Sequence, residues 1–205
     1  MTVDPQPYDA GAGPRMSRRA FGVGAAAVGL AGTARSDEGE RMQDLTSLTA
    51  AIRAGSVTAQ GHVRKTLRRV TALSGLNAFV TLDEEGALAR AVATDEAVEA
   101  GAPIGPLAGS LIAVKDNIAV RNLPMTAGTP ALRAYRPFAN ASAWARLEAA
   151  GATCLGKTGM HELAFGGTSA SPAFGVICNP WRTDIAMTPG GSSGGTGAAV
   201  AAGLG

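Results

Sequence analysis

The strongest constraint on how this chain folds is a run of glycine and serine near its end. Residues 190–197 read Gly-Gly-Ser-Ser-Gly-Gly-Thr-Gly, and the small apolar residues 198–203 follow. Because glycine lacks a Cβ atom, this run lets the backbone turn sharply and approach other groups closely. The apolar residues predict a helix whose positive dipole end faces the loop. The pattern predicts a loop that presents hydroxyls and N–H groups, whereas the same composition standing alone is typical of a flexible linker.

Apolar and polar residues between positions 60 and 156 alternate between helical and strand patterns. Val63 to Leu73 recur at helical spacing, and Gly75 is the predicted C′ glycine that ends this helix. Asp83 is the predicted N-cap of a further helix that ends at Gly101. The other predictions are strands at 78–82, 111–115 and 153–156 and a helix at 141–150. This alternation favours a sheet covered by helices, an α/β fold.

Further motifs precede the glycine–serine loop in a fixed order. They are Val-Lys-Asp-Asn at 114–117, Leu-Pro-Met-Thr-Ala-Gly at 123–128, Ala-Gly-Ala at 150–152, Gly-Lys-Thr at 156–158, Glu-Leu-Ala-Phe-Gly at 162–166 and Asn-Pro-Trp at 179–181. With the loop, this series closely resembles the amidase signature family, which hydrolyses carboxamide C–N bonds. The resemblance covers residues 42–205. It implies the N-terminal part of the amidase signature fold, with helices covering a mixed β-sheet that this stretch leaves incomplete.

The resemblance assigns catalytic roles to Lys115 and Ser192. Amide hydrolysis needs a nucleophile and an acid for the leaving amine, so a proton has to be shuttled. In the family a lysine is the base, a serine that follows a cis peptide bond is the relay, and a second serine attacks. By resemblance Lys115 is the base and Ser192 is the relay. Lys115 ends the apolar run 111–114, and burial would favour the uncharged form that a base needs. The alternative is a lysine at a strand end that reaches solvent.

The attacking serine of the family lies beyond the relay serine, in an Asp-x-Gly-Gly-Ser segment. No such segment occurs in residues 1–205. We therefore expect Lys115 and Ser192 to be two members of a triad, and the chain to be inactive alone. Ser193 is the alternative nucleophile, in which case Ser192 would have to relay across a single peptide unit.

The resemblance also implies a substrate and a segment that contacts it. Ala164, Phe165, Gly166 and Gly167 resemble the family segment that lines the acyl pocket, with ordinary loop packing as the alternative. The implied partner is a small-molecule or peptide amide, and no cofactor is expected. Two other functions stay open. One is a non-catalytic binding or scaffold role, and the other is a subunit resembling the glutamine amidase of the tRNA-dependent amidotransferase.

Composition argues against several other classes of function. A net charge of +2 and an aromatic content of 4% give no case for nucleic-acid binding. The glycine–serine loop lacks the lysine of a phosphate-binding loop. The two histidines, His62 and His161, have no zinc-site spacing, and His62 is expected on an exposed basic helix, so no metal is predicted. Cys154 is predicted to be a buried thiol, and its pairing with Cys178 is left undecided.

The first 36 residues have the pattern of an export signal. Arg18 and Arg19 precede a short, weakly apolar, glycine-rich run at 22–32, followed by small residues. This order is typical of a twin-arginine (Tat) signal, and the run is too short to span a membrane stably. The sequence predicts a leader at 1–36, a partial amidase domain at 37–205, and export to the periplasm or the medium. The alternative is a disordered basic tail.

Overall fold

The computed structural model describes residues 44–182 and 187–205, so the predicted leader at 1–36 lies outside the described residues. The helices are α1 (Leu45–Arg53), α2 (Ala59–Ala72), α3 (Glu84–Glu99), α4 (Ser142–Ala149) and α5 (Gly194–Ala201). The strands are β1 (Phe79–Leu82), β2 (Leu111–Lys115), β3 (Thr153–Thr158), β4 (Ala170–Ser171) and β5 (Gly175–Val176). Helices and strands alternate as predicted, which confirms the α/β class. Among the described helices, none has the length and apolar character needed to cross a membrane.

The main sheet is mixed and has β3 at its centre. Its order is β1-β3-β2, with β1 antiparallel and β2 parallel to β3. The register of β2 against β3 shifts between Ile112 and Ala113, so that Leu155 is an extra residue on β3. Beyond this bulge, Lys115 lies opposite Thr158. Within the described residues, β1 and β2 each pair on one side only, as expected for an incomplete sheet.

The two faces of the sheet pack against different helices. On one face Leu111, Ala113 and Leu155 belong to a core that includes residues of α1, α2, α3 and α5. On the other face Val114 and Cys154 pack against Trp144 of α4. Because successive side chains of a strand point to opposite faces, Lys115 shares the face of Leu111 and Ala113.

The start of α2 is capped by its own chain and by a neighbouring helix. Thr58 Oγ1 accepts a hydrogen bond from Gly61 N at 3.1 Å. The carboxylate of Asp95, in α3, accepts from Ala59 N at 2.6 Å and from Gln60 N at 3.0 Å. These bonds satisfy N–H groups that have no partner within the helix. They also fix α2 against α3 on the face of the sheet that carries Lys115.

Two sequence predictions about this region need correction. Gly75 is not the residue that ends α2, because it lies inside a 3-10 turn at Ser74–Leu76 and the left-handed residue is Asn77, with φ 52°. The Asn77 side chain stabilises that turn by donating to Phe174 O at 2.7 Å. Strand β3 continues to Thr158 rather than ending at Gly156. It does so because Lys157 is buried with a counter-ion, which a local pattern of apolar residues does not reveal.

Candidate active site

The structure brings Lys115 and Ser192 into contact. Lys115 is the last residue of β2, and Ser192 lies in the loop that leads into α5. Lys115 Nζ donates a hydrogen bond to Ser192 Oγ at 2.8 Å, and both side chains are half-buried. The peptide bond between Gly191 and Ser192 is cis, as the family resemblance implies. An amine and a hydroxyl at this distance can exchange a proton directly.

Backbone contacts hold Ser192 and the start of α5 against the end of β3. His161 N donates to Ser192 O at 3.1 Å, and Gly195 N donates to Gly159 O at 3.0 Å. A Cβ atom at position 195 would lie only 2.5 Å from Gly159 O, so the close approach requires glycine. The hydroxyls of Thr158 and Thr196 are 2.7 Å apart and share a hydrogen bond. The N-terminus of α5 is therefore seated directly over the end of the central strand.

A further hydroxyl, which sequence reasoning missed, lies beneath the loop. Ser169 Oγ donates to Gly190 O at 2.7 Å and accepts from Gly194 N at 2.9 Å. The Ser169 side chain has no exposed surface. The only signal in the sequence is its place shortly after Gly166 and Gly167, which does not distinguish it from other serines.

The segment predicted to contact substrate adjoins the same loop. Ala164 is left-handed, with φ 65°, and the ring of Phe165 is 90% exposed. The backbone of Gly166 and Gly167 passes beside Gly191, where an added Cβ would lie 2.9 Å from the carbonyl carbon of Gly167. Gly166 and Gly167 are thus close to the Ser192 loop, and the contact of Ala164 to Gly167 with a substrate stays a prediction.

Ser193 is placed differently from Ser192. Its side chain is exposed at the N-cap position of α5, and its backbone oxygen accepts from Gly197 N at 3.0 Å. Within the described part of the chain, the Ser193 hydroxyl has no hydrogen-bond partner. The contact with Lys115 therefore belongs to Ser192, and attack by Ser193 stays a hypothesis.

Asp116, the residue after Lys115, forms a buried ion pair with Lys157. No separate role for this pair was predicted from the sequence. Lys157 Nζ and Asp116 Oδ1 are 3.3 Å apart, and both residues are fully buried. Asp116 also accepts from the backbone N of Thr126 at 3.0 Å and, in a short hydrogen bond, from the Thr126 hydroxyl. Burial lowers the pKa of Lys157, and the Asp116 carboxylate partly opposes that effect. The sequence did contain one sign of a buried ion pair, because the charged residues of the Lys-Asp and Gly-Lys-Thr motifs lie next to apolar runs.

The histidines and cysteines lie in separate environments. His161 Nδ1 lies 3.2 Å from Thr168 Oγ1. His62 was expected to be exposed but is half-buried. Burial, and to a smaller extent the charge of nearby Lys65, lowers the pKa of His62. The described residues contain no group of three or more His, Cys, Asp or Glu side chains that could hold a metal ion. Cys154 and Cys178 are free thiols. Cys154 is buried as predicted, and burial is the main factor that raises its pKa to about 12.

Comparison with known proteins places these observations in one family. The Amidase family model matches residues 62–205. A glutamyl-tRNA(Gln) amidotransferase subunit of Salinispora arenicola is 45% identical over 167 residues, a match that covers 78% of this chain and 34% of the relative.

Solved structures give the same result. An amidase crystal structure is 38% identical with a TM-score of 0.72, covering 78% of this chain and 36% of that one. The peptide amidase of Stenotrophomonas maltophilia is 35% identical with a TM-score of 0.73, covering 78% of this chain and 34% of that one.

The length of the match and the order of the motifs agree with each other. The chain spans about a third of the length of the curated relatives it matches. Over that third, it carries the lysine at the end of a strand and the serine loop at the start of a helix, in the order that the sequence predicted. The chain belongs to the amidase signature family of hydrolases.

Proposed function

We propose that this chain supplies the proton path for hydrolysis of a carboxamide C–N bond. The single observation that carries the proposal is the 2.8 Å contact between Lys115 Nζ and Ser192 Oγ. Uncharged Lys115 takes the proton of Ser192 while Ser192 takes the proton of the attacking hydroxyl. The proton then returns through Ser192 to the amine as the C–N bond breaks.

The substrate proposed for this path is a small-molecule or peptide amide. The glycine backbone at 166–167 adjoins the loop of Ser192, and the Phe165 side chain that precedes it is exposed. An acyl group lying against this segment would have its carbonyl carbon near the relay serine. The peptide amidase among the similar structures supports this substrate class for the present chain.

Residues 1–205 contain no Asp-x-Gly-Gly-Ser segment, so we propose that these residues alone lack the attacking hydroxyl. The purified 205-residue chain is expected to hydrolyse amides no faster than buffer does. A chimera that appends the corresponding later portion of the Stenotrophomonas maltophilia peptide amidase is expected to regain turnover. Release of ammonia from a peptide amide measures both. Turnover by the 205-residue chain that Ser193→Ala abolishes would contradict this proposal and make Ser193 the nucleophile.

A second candidate function is the glutamine amidase reaction of a tRNA-dependent amidotransferase. It is favoured by the curated relatives, which are glutamyl-tRNA(Gln) amidotransferase subunits. Glutamine hydrolysis by the chimera, compared with hydrolysis of the peptide amide, separates the two candidates. A chimera inactive on both substrates would instead favour a binding or scaffold role.

We propose further that residues 1–36 direct export by the twin-arginine route, which carries folded proteins. The support is the sequence pattern of Arg18, Arg19 and the glycine-rich run that follows. A reporter fused to residues 16–36 is expected in the periplasm, and the double change Arg18→Lys with Arg19→Lys is expected to keep it inside the cell. Arg35→Lys, outside the arginine pair, is the matched control. Export that survives the double change would eliminate the twin-arginine proposal.

A further inference from the structure

We infer that Ser169 is a positioning residue for Ser192, and that its hydroxyl holds the 190–194 loop in the form that keeps Ser192 Oγ on Lys115. The inference rests on the proposed relay role of Ser192. Ser169 touches neither Lys115 nor the reacting atoms of that proposal, so its effect is exerted through the loop.

The two hydrogen bonds of Ser169 span the relay serine. Ser169 Oγ donates to Gly190 O at 2.7 Å, two residues before Ser192, and accepts from Gly194 N at 2.9 Å, two residues after it. A hydroxyl carries one donor and two acceptor positions, so one side chain can make both bonds. Alanine or glycine at position 169 can make neither. A fully buried hydroxyl with both contacts satisfied fixes the two ends of the loop at one point.

The glycines on either side of the serine pair make room for Ser169. A Cβ atom at position 191 would lie 2.8 Å from Ser169 Oγ, and one at position 194 would collide with the Ser169 side chain. The paired glycines therefore let the loop close over this hydroxyl. Ser169 itself is left-handed, with φ 52°, a conformation uncommon for residues other than glycine. In this backbone conformation the Ser169 side chain lies beneath the loop, where its hydroxyl bonds to Gly190 O and Gly194 N.

Other contacts hold Ser192 when the hydroxyl of Ser169 is removed. His161 N still donates to Ser192 O, and Gly195 N still donates to Gly159 O. Loss of the hydroxyl is therefore expected to loosen the loop while the sheet and α5 stay folded. The contact between Lys115 and Ser192 is the observable that should change.

Lysine NMR tests this directly, because the chain contains only three lysines, Lys65, Lys115 and Lys157. In the 205-residue chain labelled with ¹³C,¹⁵N-lysine, Lys115→Arg assigns the Lys115 signal and Ser192→Ala gives its position when the contact is lost. Ser169→Ala and Ser169→Gly are expected to move the Lys115 signal toward that position and leave the Lys157 signal in place. Ser169→Cys, which retains a weak donor and acceptor, is expected to give an intermediate shift.

Amide hydrogen exchange supplies a second measurement. Exchange of the Gly194 amide is expected to become about tenfold faster in both hydroxyl-free variants, because its acceptor is removed. The matched control is Ser171→Ala. Ser171 is also buried but donates to Gly128 O at 2.7 Å, away from the loop, so its loss is expected to leave both the Lys115 signal and Gly194 exchange unchanged.

Defined outcomes overturn the inference. One is a Lys115 signal that stays in place in Ser169→Gly, the decisive variant because glycine adopts φ 52° freely. Another is an equal shift in Ser171→Ala. Neither measurement requires turnover, so a shift in Ser169→Gly together with an inactive chimera would support the positioning role and reject the proposed hydrolysis.

Discussion

Lys115→Ala and Ser192→Ala will each lower the kcat of the active chimera by about 10⁴-fold or more, because each change breaks the only proposed route for the proton. The two side chains form one 2.8 Å contact. They are therefore expected to act as a unit, and the double variant should be no slower than the worse single one. Initial rates of ammonia release from a saturating peptide amide give the comparison.

Two controls make this result specific. Lys65→Ala changes an exposed lysine on α2, remote in sequence from the loop, and is expected to leave kcat within about twofold because exposed positions tolerate substitution. Ser193→Ala changes the neighbouring exposed hydroxyl and is expected to have a small effect in the chimera. Multiplicative losses in the double variant, or a loss at Ser193 as large as that at Ser192, would contradict the relay assignment.

Removing one member of the buried ion pair will destabilise the fold by about 3–5 kcal/mol, because the remaining charge is left in the interior without its partner. Asp116→Asn leaves the Lys157 ammonium without an anion, and Lys157→Met leaves the Asp116 carboxylate without a cation. The double variant should recover much of the lost stability. The free energy of unfolding from urea titration measures all three. Arg90→Gln, which breaks the exposed 2.9 Å pair with Glu148, is the control and is expected to cost less than about 1 kcal/mol.

The pH dependence of this stability has a definite sign. Burial lowers the pKa of Lys157 in the folded chain below its ordinary value of 10.5. Between the folded and unfolded pKa values the unfolded chain binds more protons, so this residue's contribution to stability rises with pH across that interval. The contribution is lost as the pH falls through the folded pKa. The Lys157→Met variant should lack this rise, and a rise that persists in it would assign the dependence to another group.

The sequence predicted the parts of the molecule that depend on local pattern. Strand β2 forms at the predicted apolar run and helix α3 between the predicted end signals, since each is decided by residues a few positions apart. Helix α5 was predicted from the apolar run at 198–203, but it begins at Gly194, inside the predicted loop. The failures have non-local causes. Lys157 is buried beside Asp116, 41 positions away, which carries the opposite charge. The left-handed residue after α2 is Asn77 rather than Gly75, and its side chain bonds to Phe174 O, 97 positions away.

The candidate site divides in the same way. Lys115 and Ser192 could be named from the family resemblance, although 77 positions separate them. Ser169 could not, because its partners Gly190 and Gly194 follow it by 21 and 25 positions and no motif joins them. What distinguishes Ser169 from other serines is a buried location beneath the 190–194 loop, with bonds to both ends of that loop. Only the fold creates that location.

The bulge at Leu155 has a consequence for which insertions and deletions this stretch of chain can accept. Lys115 and Lys157 are directed to opposite faces of the sheet by the parity of two neighbouring strands. Adding or removing one residue between the bulge and Lys157 would turn the Lys157 side chain to the opposite face of the sheet. An ammonium group would then leave Asp116 and enter the face that carries Lys115. Length variation among natural homologues should therefore be absent from this segment and confined to turns such as the one at 133–140, where no lysine has to be assigned to a face.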